Sequence, residues 1–185
     1  MLMAFTPMEP SASQESFRVL GIDPGYGRLG LALIEKRNGK EKLIYSTCLV
    51  SSSNTPFPLR LAYLGKEVEK ILKEEKPNAI GLEKLFLVKN QKTGGQVAEV
   101  RGMLLYLTAE AGLAESLFEF TPREIKTAVV GYGGASKDQV AKMVSQLIAL
   151  PPKKMLDDEI DAIAVALTAL AKIPFLLSTR TLGGY

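Results

Sequence analysis

The sequence predicts a single α/β domain built on a mixed five-stranded sheet. Three strand-like segments follow one another with only short turns between them, which indicates antiparallel pairing. Two later strand-like segments alternate with helical ones, which indicates parallel pairing with helices on the faces of the sheet. With 185 residues, of which 46% are hydrophobic and 23% charged, the chain is long enough for one well-packed core.

The strands are predicted from short apolar or alternating segments bounded by turn residues. The first ends at Asp23, where a Pro-Gly turn follows, and Asn38-Gly39 is a strong hairpin signal between the second and third. The predicted strands are Phe17 to Ile22, Gly30 to Lys36, Lys42 to Val50, Asn78 to Leu82 and Ser116 to Phe120.

The helices are predicted from apolar residues at helical spacing, with start and stop signals at their ends. Thr121-Pro122 opens a short helix, Ser136 caps the next, and Pro77 and Gly112 follow the ends of the two earlier ones. The longer predicted helices are Leu59 to Glu75, Gly95 to Ala111, Lys137 to Leu150 and Asp157 to Lys172.

The predicted domain spans residues 17–173. Residues 1–16 are interpreted as a flexible N-terminal extension and residues 174–185 as an irregular tail. The apolar stretch from Ala162 to Leu177 is interrupted by Thr168, Lys172 and Pro174, so it is too short and broken to span a bilayer. We expect a cytoplasmic protein that makes no membrane contact.

The residue inventory excludes several kinds of chemistry. The chain has no histidine, which excludes Ser-His-Asp catalysis and nearly every zinc site with nitrogen ligands. Its single cysteine, Cys48, can form no internal disulfide and is interpreted as a small strand or core residue. The net charge of +3 permits nucleic-acid binding without requiring it.

Four acidic residues occupy positions where structure alone does not call for an acid. Asp23 and Glu83 each end an apolar strand, and Asp158 and Asp161 open the last helix at a spacing that puts them on one face. If the first strand is central, these four carboxylates can converge. Clustered carboxylates repel one another, so a divalent cation is their natural partner, and oxygen ligands alone suit Mg²⁺ or Mn²⁺. Two such ions would clamp a phosphodiester for attack by water.

Each acid also has a structural explanation. Asp23 suits an Asp-Pro-Gly turn, and Glu83 would pair with a lysine at an exposed strand end. Acids are favoured at helix N-termini, which accounts for Asp157 and Glu159 and less well for Asp161. Asp157 competes with Asp158 for one ligand role, and we prefer Asp158 because it keeps the i, i+3 relation to Asp161.

Six motifs follow one another along the chain between roughly Arg18 and Ala171. They are GIDPG at 21–25 followed by Gly30, LEKLF at 82–86 continuing to Lys89-Asn90, RG at 101–102, TAVVG at 127–131, ASK at 135–137 and DDEIDAIA at 157–164. Taken together and in this order, the motifs specifically resemble those of the RuvC family of Holliday-junction resolvases.

The resemblance implies a ribonuclease H-like fold, a homodimer and Mg²⁺-dependent paired nicking of four-way DNA junctions in recombination and repair, with two ions per site and Mn²⁺ as a substitute. The products would carry 5′-phosphate and 3′-hydroxyl ends, and a branch-migration helicase complex of the RuvAB type would be a partner. By position, Asp23, Glu83, Asp158 and Asp161 take the four catalytic and metal-binding roles.

The resemblance also suggests DNA-contacting residues. Phe86 matches an aromatic residue that could stack on an unpaired base, and Lys126 and Lys137 match basic positions near the active site. Five further residues are weaker candidates by the same logic: Arg28, Lys84, Lys89, Lys92 and Arg101. Burial of the aromatic ring and ordinary solvated lysines are the corresponding structural explanations.

Two questions stay open in the sequence. The helix from Gly95 to Ala111 carries apolar residues on more than one side, including Leu105 and Tyr106, and would suit either a dimer surface or burial inside the monomer. The alternative functions are a nuclease of the same fold acting on RNA or another branched nucleic acid, a phosphotransferase of the actin and sugar-kinase type, and a junction-binding module without catalysis.

Overall fold

A computed structural model describes residues 16–84 and 94–182. Its strands are β1 (Phe17–Asp23), β2 (Arg28–Arg37), β3 (Lys40–Val50), β4 (Ala79–Glu83) and β5 (Leu117–Phe120). They form one five-stranded sheet in the order β3-β2-β1-β4-β5. The helices are α1 (Phe57–Glu75), α2 (Gly94–Glu110), α3 (Pro122–Val130), α4 (Lys137–Leu147) and α5 (Asp157–Leu182), and a short 3-10 turn spans Ala114–Ser116.

The sheet is mixed, as the sequence predicts. β1, β2 and β3 pair antiparallel, and the turn between β2 and β3 uses positive φ angles at Asn38 and Gly39, the conformation that suits a tight hairpin. β4 pairs parallel with both β1 and β5. The central position of β1 places the ends of β1 and β4 side by side, because Ile22 is opposite Leu82 in the register.

Helices cover both faces of the sheet and make two cores. One core packs α3, α4 and α5 on the sheet and includes Val19 of β1, and the other packs α1 and α2 and includes Leu20 and Ile22. Successive side chains of β1 point to opposite faces of the sheet, so β1 contributes to both cores. No helix of the described residues is long and apolar enough to cross a membrane.

The last helix is longer than expected. The prediction of an irregular tail from Pro174 is wrong for residues 174–182, since α5 continues to Leu182. A proline inside a helix removes one backbone hydrogen bond, but the residues after it include good helix formers such as Leu176, Leu177 and Arg180, which favour continuation. α4, by contrast, ends at Leu147, before the predicted Leu150. The division of the chain into extension, domain and tail otherwise stays a prediction.

Candidate active site

The predicted acidic residues meet at the carboxyl ends of the central strands. Asp23 ends β1 and Glu83 ends the adjacent β4, so the register brings the two side chains together. Asp161, in the first turns of α5, lines the same cavity of about 260 Å³ as Asp23 and Glu83. Lys126 of α3 and Lys137 of α4 complete the polar lining of this cavity. Three carboxylates from three separate elements thus face two lysines.

Close contact between α5 and the sheet brings Asp161 to this cavity; Asp158 does not line the cavity, but its charge acts on Asp23. A Cβ atom at Gly30 of β2 would overlap the carbonyl oxygen of Asp158, and one at Gly21 of β1 would overlap that of Ala162. The missing side chains let the helix backbone rest directly on the strands. Gly21 and Gly30 therefore determine how near the acids of α5 come to Asp23.

The electrostatics of the cavity follow from this crowding. The pKa of the Asp23 carboxyl is raised to about 8, first by burial and then by the negative charges of Glu83, Asp161 and Asp158. The pKa of Glu83 is raised as well, by burial and then by Asp161, although a side-chain hydrogen bond with Asp23 and the charges of Lys137 and Lys126 oppose the shift. Asp23 and Glu83 form a pair that resists holding two negative charges without a cation nearby.

Two basic side chains partly offset the charge of the α5 acids. Lys137 Nζ lies 3.0 Å from Asp161 Oδ2, and this hydrogen bond raises the pKa of Lys137. Arg28 Nε lies 3.1 Å from Asp158 Oδ2. That oxygen is nevertheless buried and accepts no hydrogen bond from the residues that the structure describes. Asp158 Oδ2 keeps lone pairs free for another cation.

As the side chains stand, no three carboxylate or cysteine groups within residues 16–84 and 94–173 are arranged to hold a metal ion. Two of the four acids are held in ion pairs, Asp161 with Lys137 and Asp158 with Arg28. The donor set fits a hard divalent cation, however. It consists of oxygen ligands, one of them buried without a hydrogen bond from the described residues, and includes a half-buried acid pair whose raised pKa values the two lysines do not cancel.

Asp157 and Glu159 differ from their neighbours on α5. Asp157 is exposed and lies in a smaller neighbouring cavity beside Lys137 and Asp161, and its charge acts on Lys137. Glu159 is only 4% exposed and accepts hydrogen bonds from Ser46 Oγ (2.7 Å) and Lys153 Nζ (2.6 Å). From the sequence, Glu159 is predicted to be an acid that stabilises the helix N-terminus. In the structure, the Glu159 side chain connects α5 to β3, a contact that no local pattern could reveal.

The remaining predicted residues have separate positions. Arg101 makes two hydrogen bonds to Glu119 and is not part of the cavity lining. Lys84 is exposed at the end of β4. Cys48 is half-buried on β3, and burial followed by the charge of Asp158 raises its thiol pKa to about 11, which makes it a poor nucleophile. Phe86, Lys89, Lys92 and residues 1–15 lie outside the described part of the chain.

Comparison with known proteins places this geometry in a family. The family model for the crossover junction endodeoxyribonuclease RuvC matches residues 19–169. The chain belongs to the RuvC family. A RuvC of Syntrophomonas wolfei is 39% identical over 170 residues, which cover 90% of this chain and 98% of that protein.

Solved RuvC structures agree with the fold. Thermus thermophilus RuvC superposes with a TM-score of 0.77 at 27% identity, covering 86% of this chain and 96% of that one. The same protein in complex with a Holliday junction substrate gives 0.76 at 28% identity, over 85% and 96% of the two chains. The fold is the ribonuclease H-like fold that the sequence motifs implied.

Proposed function

We propose that this RuvC-family chain resolves four-way DNA junctions by paired, metal-dependent hydrolysis of phosphodiester bonds, in homologous recombination and DNA repair. The observation that carries the proposal is the single cavity lined by Asp23, Glu83 and Asp161 beside Lys126 and Lys137. Family membership and a solved relative bound to a Holliday junction support DNA junctions as the substrate.

In this proposal, Asp23, Glu83, Asp158 and Asp161 hold the metal, and Mg²⁺ is the ion we expect, with Mn²⁺ as a substitute. Bound divalent ions would polarise the phosphoryl oxygens and lower the pKa of a water. The raised pKa values of Asp23 and Glu83 support this assignment, since both carboxylates would become fully charged only when a cation compensates them.

The basic residues would act on the phosphate. Lys126 and Lys137 reach into the cavity, where their charges would bind the scissile group and offset the negative charge that builds on it. A water oxygen forms a bond to phosphorus, the bond from phosphorus to the 3′ oxygen breaks, and that oxygen takes up a proton. The products are a 5′-phosphate and a 3′-hydroxyl. We retain Arg101, Phe86 and Lys89 as proposed DNA contacts.

We also propose a homodimer, because two copies related by a two-fold axis would present two identical sites to a nearly symmetric junction. The exposed side of α2 is the proposed contact. Val100 and Leu104 are buried in the monomer core, whereas Tyr106 is 62% exposed, which leaves an outer face for a partner. A helicase complex of the RuvAB type and a cytoplasmic location are parts of the same proposal.

The experiment is cleavage of a synthetic mobile four-way junction with Mg²⁺, with EDTA and with carboxylate variants. We expect Asp23→Asn and Glu83→Gln to lower the cleavage rate by at least about 100-fold, because a neutral isostere loses the charge that holds the metal. Junction binding, measured by the anisotropy of a labelled junction, should persist. Glu69→Gln, which removes an α1 acid paired with Lys73, is the matched control and should cleave normally.

Further arms of this experiment separate the alternatives. Asp158→Asn should abolish cleavage and Asp157→Asn should not; the reverse result would transfer the ligand role to Asp157. Forked, linear and RNA-containing substrates distinguish the junction enzyme from a nuclease that acts on RNA. Full cleavage in EDTA, or by Asp23→Asn, would contradict the proposed function.

A further inference from the structure

The loop between α3 and α4 presents an aromatic side chain to solvent. Tyr132 is 48% exposed and stands between Gly131, whose φ is +96°, and Gly133. None of the described residues hydrogen-bonds to Tyr132 or stacks on its ring. Tyr26 differs, because its ring packs against Phe57 and Arg60. The exposed Tyr132 ring does not contribute to either core.

This loop borders the catalytic cavity. Lys126 of α3 and Lys137 of α4, on either side of the loop, both line the cavity, and Lys137 also pairs with Asp161. Tyr132 precedes Lys137 by five positions, so their Cα atoms are no more than about 18 Å apart. A DNA strand advances about 3.4 Å per nucleotide, so Tyr132 is within roughly five nucleotides of a phosphate held at Lys137.

The surroundings of Tyr132 favour a nucleic acid strand over an apolar partner. Arg123 is exposed, and its side chain packs so closely on the loop that a Cβ atom at Gly133 would overlap it. Together with Lys126 and Lys137 it forms a basic border for a phosphate backbone. Gly134 passes beside the Tyr132 ring, since a Cβ atom there would lie 3.8 Å from it, yet the residue stays 48% exposed. An exposed aromatic ring beside basic side chains is how proteins hold unpaired bases.

We infer that Tyr132 is a base-stacking residue, which binds an unstacked nucleobase of the junction strand whose phosphate occupies the cavity. The inference rests on the proposed function and adds to it a contact on the α3–α4 side of the site. Stacking involves the ring face and not a base edge, so the contact tolerates any base and fixes where the strand lies.

The test uses the absence of tryptophan from the chain. Tyr132→Trp supplies a lone fluorophore, and its emission is followed as the full-length protein is titrated with a four-way junction in EDTA. We expect binding to quench the emission. Tyr132→Ala should weaken junction binding by about 5- to 150-fold, the loss of one stacked base, whereas Tyr132→Phe should stay within about two-fold of wild type.

Tyr45→Trp is the matched control. Tyr45 is also exposed but lies on the edge strand β3, opposite Leu33 of β2, and does not line the cavity. Its emission should not change when the junction binds. Unchanged emission from Tyr132→Trp, with junction binding intact, overturns the inference alone. A wild-type chain that binds no junction overturns the proposed function and the inference with it.

Discussion

Arg60 illustrates how one residue supports the site from a distance. Its side chain is buried, and none of the acids in the described part of the chain forms an ion pair with it. The guanidinium instead donates to Ser51 Oγ (2.9 Å) and to the carbonyl oxygen of Tyr26 (3.0 Å), and it lies 5.0 Å from the centre of the Tyr26 ring. These contacts hold the turn that joins Asp23 to Arg28.

We expect Arg60→Lys to lower the free energy of unfolding by about 1–3 kcal/mol. An ammonium keeps the charge but cannot make both hydrogen bonds and lie flat on the ring, so buried acceptors lose their donors. Urea unfolding measures the change. Arg101→Lys, at a half-exposed arginine paired with Glu119, should cost less than about 1 kcal/mol. Equal losses in the two variants would contradict a special role for Arg60.

At the level of secondary structure elements, the site depends on how α5 lies on the sheet. The helix begins with the acids and continues with a buried run that includes Ala162 and Ala166, while the strands below it offer Gly21 and Gly30. Small residues on both sides give a short distance between helix and sheet. Glu159 accepts a hydrogen bond from Ser46 and so also attaches the start of the helix to β3.

Gly30→Ala should separate Asp158 from Asp23, because the added methyl group would overlap the Asp158 carbonyl oxygen and α5 would have to shift. We expect a loss of about 1–3 kcal/mol in unfolding free energy, typical of overpacking, together with slower junction cleavage. The control is Gly102→Ala on α2, where a Cβ atom meets nothing within 4 Å. That substitution should preserve or raise stability, since alanine favours a helix. Wild-type stability and cleavage in Gly30→Ala would contradict this account.

For the whole molecule, the carboxylate cluster makes stability depend on pH and on metal. The Asp23 pKa is about 8 in the folded chain against an ordinary value of 3.8. Between these values the folded chain keeps a proton that the unfolded chain releases. The contribution of Asp23 to stability without divalent ions should therefore fall as pH rises from about 4 to 8 and level off above that.

Asp23→Asn removes this contribution. In the absence of divalent ions, the variant should gain stability relative to wild type as pH rises from 5 to 8, by up to about 1.4 kcal/mol per pH unit. Thermal unfolding of the two proteins across this range measures the difference, and Mg²⁺ should stabilise wild type more than the variant. Asp138→Asn, at an exposed acid of α4, should run parallel to wild type. A pH-independent difference between Asp23→Asn and wild type would refute the assignment.

The sequence by itself determined the elements and part of the site. Alternation, Asn38-Gly39 and the caps at Thr121 and Ser136 act within a few residues, and the sheet and both caps are present as predicted. The meeting of Asp23 and Glu83 was also predictable, because adjacent parallel strands end at one edge.

Only the tertiary structure decided which partners the charged residues have. Ser46 and Glu159 are 113 positions apart, and the pairing of Arg28 with Asp158 and of Arg60 with the Tyr26 carbonyl likewise arises from docked elements. The continuation of α5 beyond Pro174 was likewise not predicted from the sequence. Local sequence patterns determine the hydrogen bonds within helices and turns. The long-range side-chain contacts form only after the helix has packed closely on the sheet.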